Sequence, residues 1–149
     1  MDIKFMQAAM REAQKAADIG ETPVGAVIVR GGKIIARGHN MRETKKNALL
    51  HAEITAIDKA CRKLGGWRLP ECDIYVTLEP CPMCMGAIIQ ARIENLYFGA
   101  FDPKSGCAGS VCDLSGLLPH KVNVSGGIER TECETVLKNF FKNLRKREK

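Results

Sequence analysis

The 149-residue chain has no apolar run near the roughly 20 residues that a membrane-spanning helix needs, which argues against a helical membrane protein. It has no internal repeat, no linker and no low-complexity segment, so neither a solenoid nor a disordered array organises it. The opening Met1-Asp2-Ile3-Lys4-Phe5 lacks the basic region and apolar stretch of a secretory signal and enters a helical pattern directly. The expectation is a cytoplasmic protein. An even cysteine framework is missing too. Seven cysteines, at 61, 72, 81, 84, 107, 112 and 133, point to reduced thiols with a metal-binding subset. Cys61, Cys72 and Cys133 lie in apolar stretches, where buried, inert thiols are expected.

A chain of this length fits one domain, residues 1–149, and its 45% hydrophobic and 27% charged residues are those of a globular protein. One site must then carry the function. Lys and Arg outnumber Asp and Glu by 23 to 17, and the resulting net charge of +6 favours a polyanionic partner.

Phe5, Ala9, Ala13, Ala16 and Ala17 recur at helical spacing between Asp2 and Gly20. Val24 to Val29 is a β-branched strand, Gly31-Gly32 a hairpin turn, and Lys33 to Gly38 a second strand. After a polar loop from Asn40 to Leu50, His51 opens a helix with Ile54, Ile57 and Leu64 on its apolar face, ending near Gly65-Gly66. Asp73 to Leu78 reads as a buried strand, Cys81 to Arg92 as a helix and Asn95 to Ala100 as a strand, an order that implies a parallel pair. A long Gly/Ser/Pro-rich loop, Phe101 to His120, precedes a short strand at Lys121 to Val124. A last helix from about Glu129 carries Val136, Leu137, Phe140, Phe141 and Leu144 on one side. The fold class is α/β: a mixed sheet of about five strands, begun by an antiparallel hairpin and continued by parallel strands, between helices on both faces. Ligands collect at the carboxyl ends of parallel strands, where His51 and Cys81 both begin helices.

Thirty residues separate His51 of His51-Ala52-Glu53 from Cys81 of Pro80-Cys81-Pro82-Met83-Cys84. One imidazole and two thiolates hold zinc with a fourth position open to water, whose pKa the metal lowers. Glu53, two residues from the ligand histidine, can lean over that position and carry protons. A lone CxxC is more often structural or redox, and a lone HxE is weaker still. Together they favour catalysis: a redox pair has no use for His51 or Glu53, and a structural site wants a fourth protein ligand. Cys61 or Cys72 could supply one in principle.

The segments His51 to Glu53, Thr77-Leu78-Glu79-Pro80-Cys81-Pro82-Met83-Cys84 and Gly99-Ala100-Phe101-Asp102-Pro103-Lys104-Ser105-Gly106 resemble the zinc-dependent nucleoside deaminases, and most closely the bacterial tRNA-specific adenosine deaminases. The resemblance runs from the first helix through Pro23-Val24-Gly25-Ala26-Val27 to Phe140-Phe141-Lys142-Asn143-Leu144-Arg145. It implies a cytidine deaminase-like α/β/α fold, one zinc per subunit, a homodimer, and conversion of adenosine to inosine at the wobble position of a tRNA anticodon. His51, Cys81 and Cys84 would hold the zinc and Glu53 would shuttle protons. Asn40, Val24 and the Ala52 amide would contact the flipped nucleotide, with Asp102, Lys104, Ser105, Phe141 and Arg145 on its neighbours in the anticodon stem-loop.

Each role has a plainer counterpart. Asn40 could simply shape its loop, Asp102 before Pro103 is an ordinary turn residue, and Phe141 has the periodicity of a core position. Glu79, as a fourth ligand, would close the site, so it is expected to organise the turn or line the pocket. Lys138, Lys142, Arg145 and Lys149, with Lys146 and Arg147, form a basic helical face that is either solvated or set against phosphate. One departure stands out: such relatives often carry Asp-Pro-Thr-Ala before the histidine, where this chain has Asn47-Ala48-Leu49-Leu50. Without the proline, altered loop mobility is expected, with zinc retained. The competing functions are deamination of a free base or nucleoside, of guanine or cytosine type, and a catalytically silent zinc protein that only binds RNA.

Overall fold

The computed structural model describes residues 1–148, so Lys149 of the basic face lies outside the described residues. The elements run α1 (Ile3–Asp18), β1 (Gly25–Arg30), β2 (Lys33–His39), α2 (Ala52–Leu64), β3 (Cys72–Leu78), α3 (Pro82–Gln90), β4 (Asn95–Ala100), β5 (Asn123–Ser125) and α4 (Arg130–Glu148). The five strands form one sheet in the order β2-β1-β3-β4-β5. β1 is antiparallel to β2 and β3, whereas β3, β4 and β5 are parallel. This is the three-layer mixed α/β/α architecture expected from the element order.

Alternation along β1 divides the core. Ala26 and Ile28 join Ala52, Ala56 and Ala60 of α2 and Met85 and Ile88 of α3 on one face. Val27 and Val29 meet Phe5, Met6 and Ala9 of α1 and Cys133 of α4 on the other. Both faces of β1 are therefore buried, which is why its sequence reads as a continuous apolar run. Alanine on the helix faces brings backbone close to the sheet, and Gly38 takes this furthest. A Cβ there would run into Ala52 O and Ala56 N of α2, so the missing side chain lets the second helix lie directly on β2.

Several boundaries shift by a residue or two, as helix and strand ends commonly do. His51 and Cys81 are the N-caps of α2 and α3 rather than their first helical residues. α3 ends at Gln90, and Arg92, in left-handed backbone at φ 63°, turns the chain into β4. The last strand lies at Asn123–Ser125 and not at 121–124, because its ladder with β4 begins at the Asn95 and Asn123 pair. Cys72 and Cys133 are buried as expected, but Cys61 is only half-buried, its thiol donating to Trp67 O at 3.7 Å near the surface. Phe141 is the larger correction. It is 42% exposed and Leu144 is 39% exposed, because α4 packs on the sheet through Cys133 and Leu137 and not through the residues after them. No helix among the described residues is long and apolar enough to cross a membrane.

Candidate active site

His51 and Cys81 are brought together by the two loops that leave the carboxyl ends of β2 and β3. His51 Nδ1 lies 3.6 Å from Cys81 Sγ and 3.6 Å from Cys84 Sγ, and the three ligand atoms all fall within 4.8 Å of one another. Tetrahedral zinc, with bonds of about 2.3 Å to sulfur and about 2.0–2.1 Å to nitrogen, sets ligand nitrogen and sulfur about 3.6 Å apart. The cluster fits such an ion. Neither His51 nor Cys81 spends its side chain on capping its helix, so both ligand atoms are free to converge, and Cys84 approaches from the first turn of α3. The positive ends of two helices point at the thiolates.

The electrostatics favour a cation. The Cys84 thiol, by donating to Cys81, pulls the Cys81 thiol down to about 4, with His51 adding to the effect. Cys84 is correspondingly pushed far up by Cys81, burial and Glu53. Hydrogen bonding to Cys81 raises His51, with the Glu53 charge acting in the same direction. The cluster thus favours negative charge on Cys81, and a metal ion would displace the remaining protons. Glu53 is 4% exposed, and burial pushes its carboxyl up to about 7. A carboxyl poised there is matched to proton transfer in both directions near neutral pH.

Above the cluster opens a pocket of about 190 Å³, smaller than the roughly 300–1,000 Å³ of drug-sized sites and suited to one small planar group. Val24, Asn40, Ala52, Asp102 and Ser105 all line it, together with His51, Glu53 and Cys81. Lys104, Phe141 and Arg145 do not. They line a separate surface cleft with Lys138 and Leu144 along α4. The turn at Asp102 connects the two, its carboxylate accepting Lys104 N–H at 3.0 Å and Ser105 N–H at 3.1 Å.

Asn40 is 7% exposed and serves its loop: its amide donates to Thr22 O at 3.3 Å and its oxygen accepts Arg42 N–H at 3.2 Å. An amide has further donor and acceptor capacity, so shaping the loop leaves it a valence for the pocket. The 40–50 loop has a second anchor, Glu21, which is buried and accepts the N–H groups of Glu43 and Thr44 at 3.2 and 2.6 Å. Asn47 restrains the end of this loop. Its carboxamide oxygen accepts Leu49 N–H at 2.9 Å, an Asx turn immediately before His51.

Glu79 organises the facing loop. Its buried carboxylate accepts N–H groups of Asp102, Ala108 and Ser110, each at 3.0 Å, and the Ser110 hydroxyl. A Cβ on Gly106 would collide with that carboxylate, which explains the glycine. Sequence reasoning missed Glu21, Thr22 and Arg42, the last two also lining the pocket. Arg42 follows Asn40 closely enough to have been found by proximity, but an isolated glutamate such as Glu21 carries no motif.

Similarity to known proteins agrees with this geometry. A family model of MafB19-like deaminases matches residues 2–145. The tRNA-specific adenosine deaminase of Bacillus subtilis (strain 168) is 49% identical over 150 residues, covering 99% of this chain and 93% of that protein. A solved structure from biochemical and structural studies of A-to-I editing by tRNA:A34 deaminases matches with a TM-score of 0.85 and 41% identity, covering 91% of this chain and 100% of that one. The guanine deaminase of Bacillus subtilis matches less extensively, with a TM-score of 0.64 and 43% identity over 66% of this chain and 63% of its own. The chain therefore belongs to the bacterial tRNA-specific adenosine deaminases of the cytidine/deoxycytidylate deaminase superfamily.

Proposed function

We propose that the protein hydrolyses adenosine to inosine at the wobble position of a tRNA anticodon, releasing ammonia. The observation that carries this reading is a buried Glu53 carboxyl beside the His51, Cys81 and Cys84 cluster, at a small pocket that Glu53, His51 and Cys81 line. Residues 1–149 act as one domain, since both core clusters share a single sheet. His51 Nδ1 and the sulfurs of Cys81 and Cys84 are the residues that would hold one zinc ion per subunit. When bound, zinc supplies Lewis acidity that makes water a nucleophile near neutral pH.

The remaining steps belong to side chains. Glu53 takes a proton from the attacking water, delivers it to the purine ring nitrogen beside the reacting carbon, and serves the leaving amine in turn. Val24 and the Ala52 backbone bound the base, and Asn40 offers its unused amide valence to the nucleotide. Asp102 and Ser105 hold the pocket mouth. Lys104, Phe141 and Arg145 take the flanking nucleotides: an exposed aromatic ring between cations is a stacking platform for a base with phosphate on either side. The exposure of Phe141 favours this role over a core position. The protein works as a cytoplasmic homodimer.

The deciding experiment measures inosine and ammonia from an anticodon stem-loop, compared with free adenosine, cytidine and guanine. Turnover of the RNA is expected. Efficient turnover of a free base with none on RNA would replace the reading with a base deaminase, and RNA binding without turnover of any substrate would leave a silent binding protein.

A further inference from the structure

Trp67 is the one tryptophan of the chain, and it stands 55% exposed beside a cleft at the far end of the sheet from the pocket. β3 runs from Cys72, which pairs with Arg30 of that cleft, to Leu78, which lines the pocket, a span of about 20 Å at roughly 3.3 Å per residue. The loop that presents the indole is pinned: Leu69 is fully buried, its N–H donates to Ala91 O at 2.7 Å, and Trp67 O accepts the Cys61 thiol. Guanidinium groups from three separate segments gather there. Arg68 lies 4.1 Å and Arg92 5.7 Å from the centroid of the Trp67 ring, and Arg30, at the end of β1, lines the cleft with Arg68.

The cleft holds about 320 Å³, with Leu64, Gly66 and Pro70 as its apolar wall and no carboxylate among its described lining residues. The nearby acids face elsewhere: Asp58 pairs with Arg62 at 3.1 Å, Asp73 accepts the Asn95 amide at 2.8 Å, and Glu71 and Glu94 are exposed outside the lining. Among the described residues, Arg30, Arg68 and Arg92 form no ion pair. Arg92 closes α3 by donating to Ile89 O and Gln90 O at 3.0 and 3.2 Å, whereas Arg30 and Arg68 have no such duty. A guanidinium laid on an aromatic face keeps its in-plane N–H groups free for an anion.

We propose that this cleft is a second RNA-binding surface, separate from the catalytic pocket, which stacks a base of a single-stranded segment against Trp67 and sets its phosphates against Arg30 and Arg68. An exposed ring among unpaired guanidinium groups selects that occupant. Free phosphate has no use for the indole, and an apolar partner would cover cations that have no counter-charge. The choice of RNA over other stacking polyanions rests on the deaminase reading. With about 20 Å between the two sites, the cleft takes a different stretch of RNA from the nucleotide seated in the pocket.

Because Trp67 is the only tryptophan, the intrinsic fluorescence of the zinc-loaded, full-length protein reports this cleft directly. The probe is a single-stranded oligouridylate, which offers the pocket no adenosine to convert. It should quench the emission, and the quenching should persist after Lys138, Lys142 and Arg145 are replaced with glutamine, which separates the cleft from the α4 surface. Arg30→Gln and Arg68→Gln should each weaken binding about fourfold near physiological salt and flatten log K against log salt by about 0.7, the loss of one single-strand phosphate contact. In the background lacking those α4 cations, Trp67→Leu should weaken binding of a labelled oligouridylate about tenfold, read by anisotropy, as expected for one lost stacked base. All three variants should keep stem-loop turnover. Absent quenching, or affinity unchanged in both arginine variants, would overturn the surface. An equal response to inorganic polyphosphate, which has no bases, would overturn the stacking. Quenching is read without turnover, so loss of this surface leaves the deaminase reading standing, and absent stem-loop turnover with quenching intact would overturn that reading alone.

Discussion

The Glu79 carboxylate accepts the Asp102 backbone N–H at 3.0 Å, tying the residue before the Pro80-Cys81 turn to the loop at the pocket mouth. The strand end that delivers Cys81 therefore also positions Asp102 and Ser105. Glu79→Ala strips an ionised acceptor from three backbone donors and should cost about 3 kcal/mol, the upper end of what orphaned buried groups cost. Urea unfolding measures the loss. In the residual folded protein KM for the stem-loop should rise more than kcat falls, and Glu79→Gln should recover part of both.

Glu53→Gln keeps the shape of the side chain and removes the carboxylate proposed to carry protons. Zinc content, measured by elemental analysis, should be unchanged, while kcat falls by about 10² to 10⁴. Near-normal turnover would remove Glu53 from the mechanism.

Zinc bound at the cluster should stabilise the fold as well as serve the reaction, because His51 and Cys81 stand at the starts of two helices that the unfolded chain does not bring together. At free zinc 100 times its Kd the gain is about 2.7 kcal/mol. Chelation should lower Tm and abolish turnover together, and Cys84→Ser should behave like the chelated protein even with zinc present.

Acid should act through Glu12 and Glu21. Burial alone would raise both carboxyls, but Lys15 and His39 around Glu12, and the Thr44 and Glu43 amides on Glu21, outweigh it and hold them below the ordinary 4.5. A depressed folded-state pKa contributes stability that is present above 4.5 and lost as pH falls through the lower value. Urea midpoints taken from about pH 6 down to about pH 3 should fall more steeply for the natural protein than for Glu21→Gln.

Gly38→Ala would push a methyl group into the backbone of α2, the helix that carries His51 and Glu53. A cost of about 1–3 kcal/mol is expected, typical of overpacking, with reduced zinc retention because the helix must move. Charge tests the RNA surface separately. Replacing Lys138, Lys142 and Arg145 with glutamine should weaken stem-loop binding and flatten log K against log salt by roughly 0.7–0.9 per lost phosphate contact.

Much of this molecule was legible along the chain because its signals are local. Gly31-Gly32 marks the hairpin, Gly65 in left-handed backbone ends α2, and Pro82 starts α3. The His51, Glu53, Cys81 and Cys84 pattern names a metal chemistry by residue type and spacing alone, and the order of strands and helices is enough for the layered fold. The long loop at 101–120 was less legible, since its order comes from a carboxylate more than twenty positions away from the groups it holds.

What sequence by itself determined, then, is the element order, a cluster of side chains able to hold a metal ion and the carboxylate two residues from it, all written in short-range pattern. Tertiary structure alone decided that Glu53 is buried deeply enough to titrate near 7, that Glu21 and Glu79 brace the two loops, and that Phe141 stands in solvent. Each depends on which surfaces lose water when distant segments pack, and neither burial nor desolvation is a property of a residue in its local sequence.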